Sequence, residues 1–393
     1  MAKTKADLEN FSYHGDNLDD IFEDYEVMVN ECPVGRSKRY GGFAFLAKND
    51  DIFEAEQDYE TFSVTPTMLL PDLEMGMPMI PIDLDPPEHT GYRKVLLPLF
   101  TPMNIAKLEP GMIETARQLA DEVVEAAAAN NGVVDVSTLF ARPLPTIIFS
   151  RLCGYPEEDW PKFDKWVDDV LYERTEHPEI ARAASAEILR YFEGIISARK
   201  AEGGERNDLM DKIINARVDG RELTLDEMLS YSYLLFIAGL DTTAWGLRSS
   251  LWYLAQNPKA QQQLRENPDQ IPAAVEEFLR TMSPVQAMAR TCMRDTVVQG
   301  QEIKAGERVV LVFGAGNRDP EIFEDPHEIK IDREDNRHLS FGGGPHRCLG
   351  SNLARKEMVI GIEEFLKRVP AFENAGGEVW HGVGPLTVRL IEE

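Results

Sequence analysis

The chain has 393 residues, 43% of them hydrophobic, which is enough for a substantial core in one large domain or two. Its 41 lysines and arginines stand against 68 aspartates and glutamates, and the net charge of −27 excludes broad electrostatic attraction to nucleic acid or anionic lipid. Cys32, Cys153, Cys292 and Cys348 are scattered singly, so the sequence writes neither a disulfide framework nor a paired-cysteine zinc site, and a reducing cytoplasm is the expected setting.

The N-terminus, Met1 to Asn10, is polar and lacks the apolar stretch of a secretion signal. The longest apolar run, around Leu234 to Leu240, is far short of the ~20 residues of a membrane span, so no membrane contact is expected. From about residue 100 to residue 290 helical periodicity dominates, which predicts a mainly α protein. Shorter β-like runs at Gly41 to Leu46, Arg290 to Gln299, Glu307 to Phe313 and Leu386 to Ile391 predict a small sheet built from both ends of the chain, tying residues 1–393 into a single domain.

In chain order, Met68, Met75, Met77 and Met79 come first, set among leucine and proline; flexible thioethers fit varied apolar ligands. Asp85-Pro-Pro-Glu-His89-Thr-Gly-Tyr-Arg93 follows, in which the prolines start a helix that presents His89 and Arg93 at i and i+4 as two donors on one face. Thr224-Leu-Asp-Glu227 reads as a capping box opening a helix that runs to Asn257-Pro258, about 33 residues and about 50 Å long. Leu234 to Ile237 fit no one-sided pattern, as expected of a helix surrounded by protein.

Within that helix lies Ala238-Gly239-Leu240-Asp241-Thr242. Small residues at 238 and 239 are expected to leave a groove, and a threonine hydroxyl can bond the carbonyl one turn back. Glu277 and Arg280 share a helix face at i and i+3. Near the C-terminus stands Phe341-Gly-Gly-Gly-Pro-His346-Arg-Cys348-Leu-Gly350, ahead of a helical pattern from Ser351 to Phe365. A cysteine where loop becomes helix meets unpaired N–H groups and a positive dipole end, which favour thiolate over thiol. The glycines allow close approach to a flat cofactor, and Phe341 can shield the sulfur. The loop has neither a Walker lysine nor dinucleotide-binding spacing.

This loop resembles the cysteine-ligand motif F-x-x-G-x-[HR]-x-C-x-G of the cytochrome P-450 superfamily, matched by Phe341, Gly344, His346, Cys348 and Gly350. Glu277-Phe-Leu-Arg280 matches its E-x-x-R element, Asp85 to Arg93 its D-P-P-x-H-x-x-x-R element, and Ala238 to Thr242 its oxygen-activating [AG]-G-x-[DE]-T element. The resemblance covers about residue 15 to the C-terminus, with the motifs in family order. It implies one α-rich prism with a small β region of the soluble bacterial type, holding haem b between the long helix and the cysteine-loop helix.

Residue by residue, it implies that Cys348 ligates the iron and that His89, Arg93, Arg290 and His346 hold the haem propionates. Arg333, in Ile-Asp-Arg, completes a structural triad with Glu277 and Arg280. Thr242 and Asp241 would deliver protons to bound oxygen, with Ala238 and Gly239 beside it; such delivery needs a hydroxyl linked to a titratable carboxylate. Pocket candidates by position are Met75, Met77, Met79, Leu235, Ala238, Val285, Met288 and Val383, with Gln286 as a polar anchor.

The activity implied is dioxygen-dependent hydroxylation or epoxidation of a small hydrophobic compound such as a terpenoid, aromatic or polyketide-like molecule. Electrons are expected from a separate acidic ferredoxin or flavodoxin, because no flavin or iron–sulfur motif accompanies the haem domain. That donor would dock on a basic face including Arg347, Arg355 and Lys356. A monomer is expected. Two alternatives remain: a peroxide-driven peroxygenase of the same fold, and a non-catalytic haem sensor or ligand carrier.

Overall fold

The structure, a computed structural model, describes residues 3–14, 18–72, 76–203, 206, 208–376 and 384–391. It divides into two compact units: Met1–Asp72 with Pro81–Thr90 and Glu276–Leu349, and Leu73–Ile80 with Gly91–Val275 and Gly350–Glu393.

The first unit is built on a five-stranded sheet in the order Val34–Ser37, Phe43–Leu46, Arg308–Leu311, Met288–Cys292, Phe62–Ser63. In its central strand Val309, Val310 and Leu311 are all buried, and a strand covered on both faces needs such an unbroken apolar run rather than alternation. Register sets Val310 opposite Phe45 on its parallel side and opposite Ala289 on its antiparallel side. The helix Asn49–Gln57 packs Ile52 and Ala55 into the same core as Val309, Leu311, Phe313 and Leu339. Its buried face also carries Glu56.

The C-terminal run expected to join this sheet does not. Thr387–Leu390 pairs with Phe372–Gly376 and Val133–Asp135 in a separate three-stranded sheet of the second unit, with Val388 opposite Val134. An apolar strand pattern states that a partner is needed and leaves the choice to packing. The run from Arg290 to Gln299 is also interrupted. Thr296–Val298 leaves the sheet and pairs with Gln301–Ile303, the chain reversing at Gln299 and Gly300 with φ of 48° and 73°, the left-handed pair that a tight hairpin requires.

The second unit is organised on the helix Leu225–Gln256, 32 residues long, as the capping box predicts. Glu227 N–H donates to Thr224 Oγ1 at 3.3 Å, and Thr224 N–H donates to the Glu227 carboxylate at 2.7 Å. The helix is buried along most of its length among Pro143–Cys153, Pro178–Glu202 and Ser351–Arg368. Gly361 permits the last of these contacts, since a Cβ there would lie 2.9 Å from methyl groups of both Leu144 and Leu247. Among the described residues no helix is long and apolar enough to cross a membrane.

Candidate functional site

In the first unit, Cys348 ends the loop from Phe341, shortly before the helix Ser351–Arg368, which Gly350 caps. Cys32, Cys153 and Cys292 are buried, whereas Cys348 is exposed. Burial pushes the three other thiols up, as expected of small core residues. The loop is closed by the Cys348 N–H, which donates to the Phe341 carbonyl at 2.7 Å. Gly342 and Gly344 take φ of 62° and 56°. The close approach the structure shows for these glycines is to the helix Asn49–Gln57: a Cβ on Gly344 would sit 2.2 Å from the Glu56 carbonyl oxygen. Backbone packing alone therefore requires glycine here, whatever the loop also admits on its other side.

The donors expected to meet a cofactor carboxylate come from separate segments of the chain. Pro86 and Pro87 stand just ahead of the helix Glu88–Leu96, and the His89 N–H closes its entry by donating to the Asp85 carbonyl at 3.0 Å. The buried His89 ring lies 4.3 Å from that of half-buried His346, so residues 257 positions apart in sequence share one place. Arg93 lies on the same helix, one turn beyond His89.

Arg290 is 2% exposed. Its one hydrogen bond among the described residues runs from Nη1 to the Ala289 carbonyl at 2.9 Å, and Nη2 is 3.6 Å from Glu56 Oε1. Burial lowers its pKa to about 10, against the charges of Glu56 and Asp85. A buried guanidinium with so few partners is undersatisfied and fits a further anion, so the residues present suit a cofactor that carries carboxylates.

Glu277, Arg280 and Arg333 come together. Arg280 donates Nε and Nη2 to the two oxygens of Glu277, each at 2.8 Å, with both side chains fully buried. Its other donors reach the carbonyls of Asn317, Pro326 and Glu328 at 2.8, 2.8 and 2.9 Å. Arg333 Nε donates to Glu277 Oε2 at 3.0 Å. Burial raises the Glu277 carboxyl, but the Arg280 hydrogen bonds and neighbouring charges outweigh it and leave the group below its ordinary value. The cluster thus ties the segment ahead of the cysteine loop to one helix.

In the second unit, Thr242 Oγ1 donates to the Ala238 carbonyl at 3.0 Å. Ala238 is exposed and Thr242 half-buried, while Phe236, Ile237 and Leu240 are buried. The expected groove does not extend over Gly239, where a Cβ would lie 2.7 Å from the Phe149 ring; that aromatic side chain fills the space. Asp241 Oδ2 accepts from the Tyr172 hydroxyl at 2.6 Å. Arg142 Nε donates to Asp164 at 2.9 Å, and its Nη2 pairs with Asp168. Burial raises the Asp241 carboxyl, opposed by Tyr172 and Arg142, and raises Asp168 to about 7. Sequence reasoning did not single out Tyr172, Arg142, Asp164 or Asp168, because their relation to Asp241 depends on distant segments.

Among the pocket candidates, Gln286 is corrected. Its Oε1 accepts from Tyr25 at 2.9 Å and its Nε2 donates to the carbonyls of Met282 and Ser283 at 2.6 and 2.8 Å, so the buried amide is spent within the protein and cannot anchor a substrate. Val285 and Met288 are partly buried against the sheet core of the first unit. Leu235 and Met79 are buried and Met77 half-buried. Met75 and Val383 lie outside the described residues. Of the docking candidates, Arg347 is exposed, Arg355 half-buried, and Lys356 is ion-paired with Glu109.

Residues 42–373 match the family model described as cytochrome P450. A probable cytochrome P450 127A1 of Sinorhizobium fredii is 34% identical over 84% of this chain and 76% of its own. The polyketide biosynthesis cytochrome P450 PksS of Bacillus subtilis is 37% identical over 74% of this chain and 70% of its own. The solved structure of PksS superposes with a TM-score of 0.85 at 31% identity, covering 97% of this chain and 100% of that one.

Proposed function

Because this chain belongs to the cytochrome P450 family, a haem-thiolate monooxygenase family whose cofactor is haem b, we propose that it hydroxylates or epoxidises a small hydrophobic compound with electrons from a separate ferredoxin or flavodoxin. Bound haem supplies dioxygen activation. Cys348 would be its thiolate ligand, and His89, Arg93, Arg290 and His346 would hold its carboxylates. Glu277, Arg280 and Arg333 keep the approach to the cysteine loop in one geometry.

Thr242 and Asp241 manage protons. The Thr242 hydroxyl donates to the Ala238 carbonyl and so keeps its lone pairs to accept a proton, and Asp241 is the titratable group that replenishes it. Burial raises the Asp241 carboxyl, so it holds its proton more readily than an exposed aspartate, and the Tyr172 hydroxyl opposes this. The name of PksS, polyketide biosynthesis, supports a polyketide-like substrate within the hydrophobic class.

The observation that carries this reading is Cys348, an exposed thiol on a loop closed on itself by a 2.7 Å hydrogen bond. The test is optical titration of the ferric protein with polyketide, terpenoid and aromatic compounds, followed by turnover with a ferredoxin and its reductase. A compound that binds should shift the absorption spectrum of the ferric protein, and oxygenated product should then form. A Cys348→Ser protein that keeps the wild-type spectrum, or a wild type that takes up no haem, overturns the reading. Product formed only with peroxide replaces the monooxygenase with a peroxygenase.

A further inference from the structure

Beneath the glycines of the cysteine loop lies a carboxyl group that no motif announces. Glu56 is 4% exposed, on the inward face of the helix Asn49–Gln57. A Cβ on Gly342 would stand 2.9 Å from its Oε1 and one on Gly343 2.8 Å from its Oε2. The same side chain faces Arg290 at 3.6 Å. Oε2 has no hydrogen-bond partner among the described residues. A buried carboxyl with one long ion contact is costly, and an apolar side chain would fill the space without that cost. The groups it meets are glycines of the loop that carries the proposed iron ligand and an arginine proposed to hold a haem carboxylate.

We propose that Glu56 is a positioning residue for the haem-thiolate centre: wedged between the glycines of the cysteine loop and the Arg290 guanidinium, its carboxyl fixes the loop and sets how much of the arginine's charge is turned to a haem carboxylate. This role rests on the function proposed above. With Glu56 ionised, Arg290 and Glu56 form a nearly neutral pair. With Glu56 protonated, the full guanidinium charge acts on the cofactor, which favours the reduced haem.

The two states interconvert near neutrality. Burial raises the Glu56 carboxyl to about 7, against the Arg290 charge and the Gly343 amide, which both lower it. The other charged or titratable groups around this place are Asp58 just past the same helix, His346 in the loop with His89 against it, and Asp85 and Arg308, which act on Arg290. Their contributions are common to wild type and variant, so the difference between the two isolates Glu56.

The experiment measures the haem midpoint potential against pH in wild type, Glu56→Gln and a control, Asp50→Asn, which alters an exposed carboxylate on the same helix. Wild-type and control potentials should fall together as pH rises through about 7. The Glu56→Gln potential should lie higher on the alkaline side and lack that step. Amide exchange over residues 342–344 should quicken in Glu56→Gln as the loop loses the charge packed against its backbone. Curves and exchange identical to wild type overturn the proposal.

Should Glu56→Gln fail to fold, the wild-type apoprotein still decides. Carbon-13 carboxyl spectra should contain a glutamate titrating near neutrality whose midpoint moves on haem uptake, and a set of glutamates unmoved by haem overturns the proposal. A wild type without a thiolate-bound haem sinks the functional reading itself, whereas a normal wild-type spectrum with flat Glu56 results sinks this inference alone.

Discussion

The Tyr172 hydroxyl donates to Asp241 Oδ2 at 2.6 Å, which places a phenol on the carboxylate proposed to supply protons. The bond stabilises the ionised form and so works against burial, the larger influence on this carboxyl. Tyr172→Phe removes the stabilising donor, and Asp241 then holds its proton to higher pH. If Asp241 supplies protons during turnover, the alkaline limb of the pH profile of kcat should move upward in the variant. An unshifted limb would show that Tyr172 merely packs there.

Thr242→Ala removes the hydroxyl and its bond to the Ala238 carbonyl. General acid–base groups contribute about 10²–10⁴-fold, so product formed per reducing equivalent should fall by roughly 10²-fold, with peroxide released in its place. Alanine suits a helix at least as well as threonine, and the melting temperature should stay within a few degrees of wild type. Undiminished coupling would assign Thr242 to helix structure alone.

Asp168 gives the second unit a pH dependence with a definite sign. Burial raises its carboxyl to about 7 despite the Arg142 charge, so the folded protein binds this proton more tightly than the unfolded chain. The associated stability is fully present below the ordinary aspartate range and is lost as pH rises through about 7. Asp168→Asn should flatten this part of the melting-temperature profile by a few degrees. A variant profile parallel to wild type across that window would count against it.

Arg333→Ala leaves Glu277, which is fully buried, without one of its two arginine partners. Breaking such a cluster costs about 3–5 kcal/mol, so a large drop in melting temperature is expected, together with loss of the thiolate-type carbonmonoxy spectrum as the segment ahead of the cysteine loop loosens. Arg333→Lys should recover only part of this, because a lysine ammonium has no planar fork. Normal stability in Arg333→Ala would mean that Arg280 alone suffices.

The donor-docking proposal separates two lysine and arginine positions. Arg347 is exposed, whereas Lys356 already pairs with Glu109. Arg347→Glu should slow association with an acidic ferredoxin about 10-fold at low salt, with the difference shrinking as salt is added. Lys356→Ala should do much less, since little of its charge is on offer. Equal effects of the two changes would remove the distinction.

Much of the candidate site was legible because its chemistry is written in short spacings. Glu277 and Arg280, His89 and Arg93, and Ala238 and Thr242 each lie within one helical turn, and the Thr224 cap announces where the long helix starts. The partner strand of Thr387–Leu390, the filling of the space at Gly239 by Phe149, and the internal use of the Gln286 amide were not legible, since each depends on which distant segment arrives.

The amino-acid order by itself determined the long capped helix and the glycine-rich turn ahead of Cys348, and it singled out the groups proposed to bind iron, carboxylate and proton, because helix caps, left-handed turns and i to i+4 spacings are local. Only the tertiary structure decided that Tyr172 meets Asp241, that His346 meets His89, and that Glu56 lies under the cysteine loop beside Arg290. The physical reason is that burial and pairing are set by long-range packing: a lone glutamate in a helix reads as solvated charge until the fold takes its water away.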